Sequence, residues 1–358
     1  MELRSLGALA ALVMVGGALA ADIPRTEDGK PDFSGTYDIT TLTPFSRAPE
    51  LGERRTFTAE EVAERRQRAH SQLDQAAAPL DPDREVLAAP EGQARDRGVD
   101  VSGDFTPGSY DFHWFDCGGI YCDLYQVDGE YRTSILIDPP NGRMPPQSEA
   151  GKARQATLRP YYKPKYPGEA WWLADGSDPY DNPEGQSIGD RCIYMSITVP
   201  MRPVVYNNIK TIVQTDDHVL IMVEWMHWPR VIRLGSEHLP DEMTSYGGDS
   251  IGWWEGDTLV VETTNFKDYM SPHPARPDLR IIERFSPDAD GGLLYNFTVH
   301  DPDYTMPYTG EYPWTRTDKL MYEYACHEGN YSMANTLRGA RVLERKWMEQ
   351  QGAAEGTE

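Results

Sequence analysis

The sequence predicts a mainly β protein: an antiparallel meander closed as a calycin-like barrel or folded as a sandwich, with one or two peripheral helices and long Pro/Gly-rich loops. Three observations carry that expectation. Short β-rich runs follow one another from Ile209 to Cys326, turn residues separate them, and no helical periodicity intervenes. The runs are Ile209 to Gln214, Val219 to Met226, Val231 to Leu234, Ile251 to Trp254, Thr258 to Thr263, Leu279 to Phe285, Leu293 to His300 and Leu320 to Cys326. Asp216-Asp217, Glu255-Gly256-Asp257 and Asp288-Ala289-Asp290-Gly291-Gly292 supply turns between them. No fixed internal period occurs, which weakens a propeller or a solenoid.

The chain begins with a positive residue, Arg4, a short apolar run from Leu6 to Val15, and the small-residue site Ala18-Leu19-Ala20. That is the pattern of a secretory signal peptide over residues 1–21, so a periplasmic or secreted protein is expected. The apolar run is too short for a membrane span of roughly 20 residues, and no membrane insertion is expected. Residues 22–345 are read as a single β-rich domain: an N-terminal strand, helix and long loop over 22–110, then the barrel body over 111–345. Residues 346–358 are read as a disordered tail.

Within the N-terminal part, Asp32 to Ile39 reads as a strand. Thr58 and Glu61 form a capping box and Phe57 can staple onto Val62, which starts a helix at Ala59 that runs to about Ala78, before Pro79. Leu80 to Gly108 reads as a loop. Gly119 to Val127 and Tyr131 to Ile137 flank Asp128-Gly129, a hairpin signature. A short helix over Glu149 to Leu158 then precedes an irregular stretch carrying Trp171 and Trp172.

Composition limits the partners. The full sequence has 34 Lys and Arg against 57 Asp and Glu, a net charge of -23, so a phosphate backbone would be repelled and nucleic acid is not expected to bind. Aromatic residues make up 11%, too many for a disordered acidic chain. The oligomeric state is not encoded in any feature of the sequence. Four cysteines, Cys117, Cys122, Cys192 and Cys326, in an oxidising compartment favour two disulfides. Cys117 with Cys122 and Cys192 with Cys326 is the favoured pairing; a zinc site is the competing reading, without a CxxC pair to support it.

Four groups of residues could carry chemistry. On the strand through Val219, Glu224 needs a partner if buried, with Arg230 and Arg233 as candidates, and His227 closes the run. Glu262, Glu283 and the set Asn296, Thr298 and His300 either line a barrel cavity or form its solvated face. In the run Tyr246-Gly247-Gly248-Asp249 to Trp253-Trp254-Glu255, glycines permit close backbone approach, the two Trp offer a stacking wall, and Asp249 beside that wall would have a raised pKa. His327 and Glu328 follow Cys326, whose disulfide would pin them. No metal-ligand, nucleotide-binding or GxSxG motif occurs, so neither a metal nor another cofactor is expected.

Several stretches together resemble a large family of exported bacterial proteins: Asp32-Phe33-Ser34-Gly35, Asp138-Pro139-Pro140-Asn141-Gly142-Arg143, Gly189-Asp190-Arg191-Cys192, Trp254-Glu255-Gly256-Asp257-Thr258 through Phe266, and Tyr324-Ala325-Cys326-His327-Glu328-Gly329-Asn330-Tyr331. The match covers nearly all of the chain after the signal segment. The resemblance implies an exported bacterial protein and no particular reaction. Tyr37 stands where members of that family typically carry Trp.

Two functions fit. One is an exported enzyme performing metal-independent general acid-base chemistry, as a lyase, isomerase or glycoside-type hydrolase, on a ring-bearing small molecule. Its catalytic residues would be His227, Asp249, His327 and Glu328. Arg191, Arg230, Tyr246, Trp253 and Trp254 would bind substrate. The alternative is a non-catalytic calycin-like protein that holds an apolar or amphipathic ligand, which needs the aromatics and none of the acids.

Overall fold

The computed structural model describes residues 24–77, 116, 123–158, 170–176, 179–195, 198–204, 206–268 and 276–355. The stretch read as a signal peptide, Cys117, Cys122 and residues 80–108, read as a loop, lie outside them. The first strand, β1 (Gly35–Asp38), sits within the expected run. Helix α1 (Ala59–Ala77) starts at the predicted box: Glu61 N–H donates to Thr58 Oγ1 at 3.2 Å, and Thr58 N–H donates to the Glu61 carboxylate at 2.8 Å. The staple also forms, since Phe57 and Val62 pack with Leu124 in one buried cluster.

Among the described residues the hairpin at Asp128-Gly129 is much shorter than expected, and residues 119–122 of its first arm lie outside them. Only β2 (Gln126–Val127) and β3 (Glu130–Tyr131) pair, across two residues with φ of 55° and 76°, the geometry of a type I′ turn. Further on, β4 (Leu136–Asp138) leaves that hairpin and joins the main sheet. Two helices follow, α2 (Glu149–Leu158) at its expected place and a short α3 (Trp171–Asp175).

Eight more strands complete the sheet: β5 (Ile209–Gln214), β6 (His218–Val223), β7 (Trp228–Leu234), β8 (Asp249–Glu255), β9 (Thr258–Thr264), β10 (Arg280–Pro287), β11 (Leu293–His300) and β12 (Tyr308–Arg316). They run in sequence order, and β1 inserts between β12 and β5 to close a nine-stranded barrel, with β4 paired outside on β12. Neighbours are antiparallel except β7 and β8, which are parallel. The exception has a physical cause. The connection from Gly235 to Gly248 is long enough for the crossover that a parallel pair requires, whereas β8 and β9 are joined by the tight turn Gly256-Asp257.

Three expectations need correction. The run to Met226 ends at Val223, because Met226 and His227 take φ of 60° and 48° and cannot extend a strand. No strand covers Leu320 to Cys326; the last one is β12, which Pro307 and Pro313 disguise in the sequence. Pro313 is tolerated because, on the side away from β11, β12 pairs with β4 only at Thr309 and Gly310 and with β1 only at Thr315 and Arg316. Finally, helix α4 (Tyr331–Glu355) continues through most of the segment read as a tail. Its Ala340, Leu343 and Trp347 recur at helical spacing and pack on Trp171, Trp172 and Tyr180, while Trp172 Nε1 donates to Glu344 at 2.9 Å.

Side chains alternate across the barrel wall. Val219, Ile221, Val223, Leu259, Val261, Ile281, Phe285 and Tyr295 point inward and are buried. The interior is filled with rings rather than open: Phe285, Tyr295 and Trp314 lie 5.0 to 5.3 Å apart, centroid to centroid. From the side, Ile188, Tyr194, Val199 and Met201 enter the same core. Tyr312 donates its hydroxyl hydrogen to the Met201 carbonyl at 2.7 Å, and Met201 N–H donates to the Tyr295 hydroxyl. Any site must therefore lie at a barrel end or on the outer wall.

Candidate functional site

The end of the barrel at which β5 begins and β6 stops gathers the most unusual chemistry. β5 opens with Ile209 and Lys210, and Lys210 pairs in register with Val223 and Tyr37, which places it on the inward face. It is buried, yet its ammonium donates only to two main-chain carbonyls, Asn207 at 3.4 Å and Ile209 at 3.3 Å. No carboxylate lies within ion-pair distance of it among the described residues. Burial disfavours its charge, and the fields of Glu224, Asp116 and Asp38 offset this only in part, so its pKa falls to about 8.

Glu224 stands just past the end of β6. Its carboxylate accepts from Ile209 N–H at 3.1 Å, and its own N–H donates to the Ile209 carbonyl at 3.2 Å. The side chain thus takes over the ladder where the strand breaks. Burial raises its pKa, against the opposing hydrogen bonds from Ile209 and Asn207. The partner expected from the sequence, Arg230 or Arg233, is not found, because each of those arginines is engaged elsewhere.

A short 3-10 turn, Trp225–His227, follows Glu224. His227 is half-buried, and its Nδ1 accepts the main-chain N–H of Tyr324 at 3.2 Å. That bond puts the ring proton on Nε2. Trp225 stacks between Tyr206, at 4.6 Å, and Tyr324, at 5.7 Å, and its buried Nε1 has no hydrogen-bond partner among the described residues. Asn207, Met226 and His227 all hold positive φ, backbone states that cost free energy and collect at functional sites. The bond between Cys192 and Cys326, with Cα atoms 5.8 Å apart, ties the Tyr324 segment to the barrel.

The residues predicted from the sequence divide between this end and other places. His227 belongs to it. Arg191 is half-buried beside Cys192, with no hydrogen bond or ion pair of its guanidinium among the described residues. Arg230 is not at the mouth but inside the barrel, where it forms a two-pronged pair with Glu283, one contact at 2.9 Å, and reaches Thr263 at 2.8 Å and Ser250 at 3.2 Å. Tyr295 donates to the same Glu283 at 2.5 Å. The other polar strand residues split by face: Glu283 is inward, while Glu262 pairs with Arg280 and Thr298 bonds Thr309 on the outer face.

Asp249 is a carboxylate anchor rather than an acid. Burial pushes its pKa up, but hydrogen bonds from Arg233 at 2.6 Å, His238 at 2.8 Å and Leu239 N–H at 3.1 Å outweigh it and hold the group below the usual range. The expected Trp wall does not form, because adjacent strand residues face opposite ways. Trp254 packs on Phe33 at 5.3 Å, and the exposed Trp253 donates to Glu255 at 3.0 Å. Tyr246 stacks with Tyr194 at 6.3 Å, and the ring lies 5.1 Å from Lys267 Nζ. His327 and Glu328 are both exposed. Among the described residues no hydrogen bond or ion pair joins them, or Asp249, to His227.

Two residues escaped the sequence reading. Lys210 lies at the start of a strand with no motif around it; only its period-2 phase with Ile212 marks it as inward. His238 sits between Asp249 and Glu262, with its Nε2 3.9 Å from the latter, and fastens the crossover to the outer wall. Among the described residues, no group of His, Cys, Asp and Glu could hold a metal ion, and no helix is long and apolar enough to cross a membrane. Compared with family models, curated proteins and solved structures, the chain matches none.

Proposed function

We propose that the protein is an exported enzyme that performs metal-independent acid-base chemistry on a ring-bearing small molecule at the barrel end formed by Lys210, Glu224 and His227. The observation that carries this reading is the burial of Lys210 within the field of a second buried titratable group, Glu224. Both are buried, and burial drives each toward its neutral form, so Glu224 keeps its proton to higher pH and Lys210 gives its proton up at lower pH than exposed groups do, the shifts that suit proton transfer. Tyr206, Trp225 and Tyr324 give the same end an aromatic border; Trp225 Nε1, without a partner among the described residues, and Arg191, next to the Cys192 that the disulfide ties to the Tyr324 segment, offer donors to a polar substituent. The disulfide supports export, since such bonds persist outside the reducing cytosol. Asp249, His327 and Glu328 have no part in this site.

The test is turnover by the purified protein across aryl glycosides, cyclic ketones and hydroxy acids, with Glu224→Gln and His227→Ala beside the parent. General acid-base groups contribute roughly 100- to 10,000-fold, so Glu224→Gln should lose at least about 100-fold in kcat. Equal turnover in parent and Glu224→Gln would discard the site. Ring binding without turnover by any form would leave the calycin-like binding protein.

A further inference from the structure

We infer that Lys210 is a covalent nucleophile that forms an imine with an aldehyde or ketone, so that the substrate of this barrel end is a carbonyl compound. The inference rests on the acid-base reading above and names its substrate class. Its geometric basis is a buried primary amine that faces the barrel interior and whose hydrogen bonds, among the described residues, go to two main-chain carbonyl oxygens at 3.3 and 3.4 Å, with no carboxylate in ion-pair contact. A lysine placed for stability is commonly paired with a carboxylate or left in water; once deprotonated, above about pH 8, this amine has a free lone pair. Its partner Asn207 is left-handed, and Glu224, bonded to the neighbouring Ile209, opens the turn that carries the left-handed Met226 and His227 and a Trp225 Nε1 without a hydrogen-bond partner among the described residues. A buried donor without a partner marks a place where a ligand oxygen can be received.

The step balances without any further reactant. The Lys210 lone pair adds to the carbonyl carbon, and the C=O π electrons move to oxygen, which takes a proton. The nitrogen then gives up a proton, the hydroxyl takes one and departs as water, and the nitrogen lone pair closes a protonated C=N bond. Among the charges acting on Lys210 the Glu224 carboxyl acts most strongly, and burial favours its proton-bound form, so it is the group suited to move protons to and from the departing oxygen. The cationic imine is an electron sink that makes bonds next to the former carbonyl easier to break, which fits lyase or isomerase chemistry better than hydrolysis.

Benzaldehyde with sodium cyanoborohydride, followed by peptide mapping of the full chain, tests this directly. At pH 8 the Lys210 peptide should be alkylated at least about tenfold faster than any other lysine, since surface amines are almost wholly protonated there. Labelling of Lys210 should rise with pH through about 8. Labelling spread over exposed lysines with Lys210 untouched would overturn the inference, and this reading needs no variant that might misfold. Lys210→Arg keeps the cation and cannot form an imine, so full turnover in it would also overturn the proposal. If Glu224→Gln abolishes turnover while Lys210→Arg does not, only the imine fails. If Lys210 traps benzaldehyde but no substrate turns over, the imine stands and the enzyme reading fails.

Discussion

Replacing Lys210 by Met should stabilise the protein at neutral pH, and the gain should disappear as the solution is made alkaline. The magnitude follows from the shift of the amine from 10.5 to about 8, which at about 1.4 kcal/mol per unit is about 3 kcal/mol. Below pH 8 the amine is charged in both the folded and the unfolded chain, and the folded state carries the cost of burying that charge. Between about 8 and 10.5 the unfolded chain holds a proton that the native state has released, so stability of the parent rises with pH. Met fills nearly the same volume and never bears the charge. Urea unfolding at pH 7, 8, 9 and 10 reads the difference. At pH 7 the midpoint of Lys210→Met should lie about 1 M above the parent, taking an m-value near the upper end of ~1 to 3 kcal/mol per molar, and the two curves should approach each other by pH 10. A difference that stays constant from pH 7 to 10, or a Met variant less stable at pH 7 than at pH 10 relative to the parent, would refute the buried-charge argument.

Two further outcomes are expected. Glu283→Leu alone leaves Arg230 buried without its carboxylate and should cost about 3 to 5 kcal/mol in urea unfolding, whereas Arg230→Met with Glu283→Leu should return most of that loss; a single variant costing under about 1 kcal/mol would contradict the pair. Cys192→Ala opens a loop closed across 134 residues and should lower stability by about 2 to 5 kcal/mol, read as a fall in Tm under non-reducing conditions; equal Tm values would count against the bond.

The body of the fold was legible because local chemistry and tertiary demand agree there. The runs from Ile209 to His300 alternate, their turns contain Asp and Gly, and the strands form within a few residues of the expected limits. β12 was hidden because its prolines look like breakers until the missing partner on one side is known. Barrel closure by β1 was equally hidden: nothing in Gly35–Asp38 encodes a partner almost 280 residues away. Of the site, His227 could be picked out by its position at the end of an apolar run, and Glu224 by its lone charge within one. Lys210 could not. A lysine beside an isoleucine at a strand start reads as a solvated end, and only the register with Val223 and Tyr37 turns it inward. Asp249 was misread for a related reason, since its three donors come from Arg233 and from a crossover whose path the sequence does not fix.

The four buried cations among the described residues separate structure from function. Arg230 takes the Glu283 carboxylate and two hydroxyls, Arg132 lies between Glu130 and Glu311, and Arg47 reaches Thr133 and the Pro140 carbonyl at 2.8 and 2.7 Å. Arg230 and Arg132 face carboxylates, and Arg47 has hydroxyl and carbonyl oxygens within 2.8 Å, so each buried charge is compensated by oxygen close by. Lys210 has neither a carboxylate partner nor a hydrogen bond shorter than 3.3 Å among the described residues. The chain can pair a buried cation when it needs one, so the exception is not a failure of packing. A buried amine left poorly solvated lowers stability at neutral pH, and proteins retain such a feature where its reactivity is used.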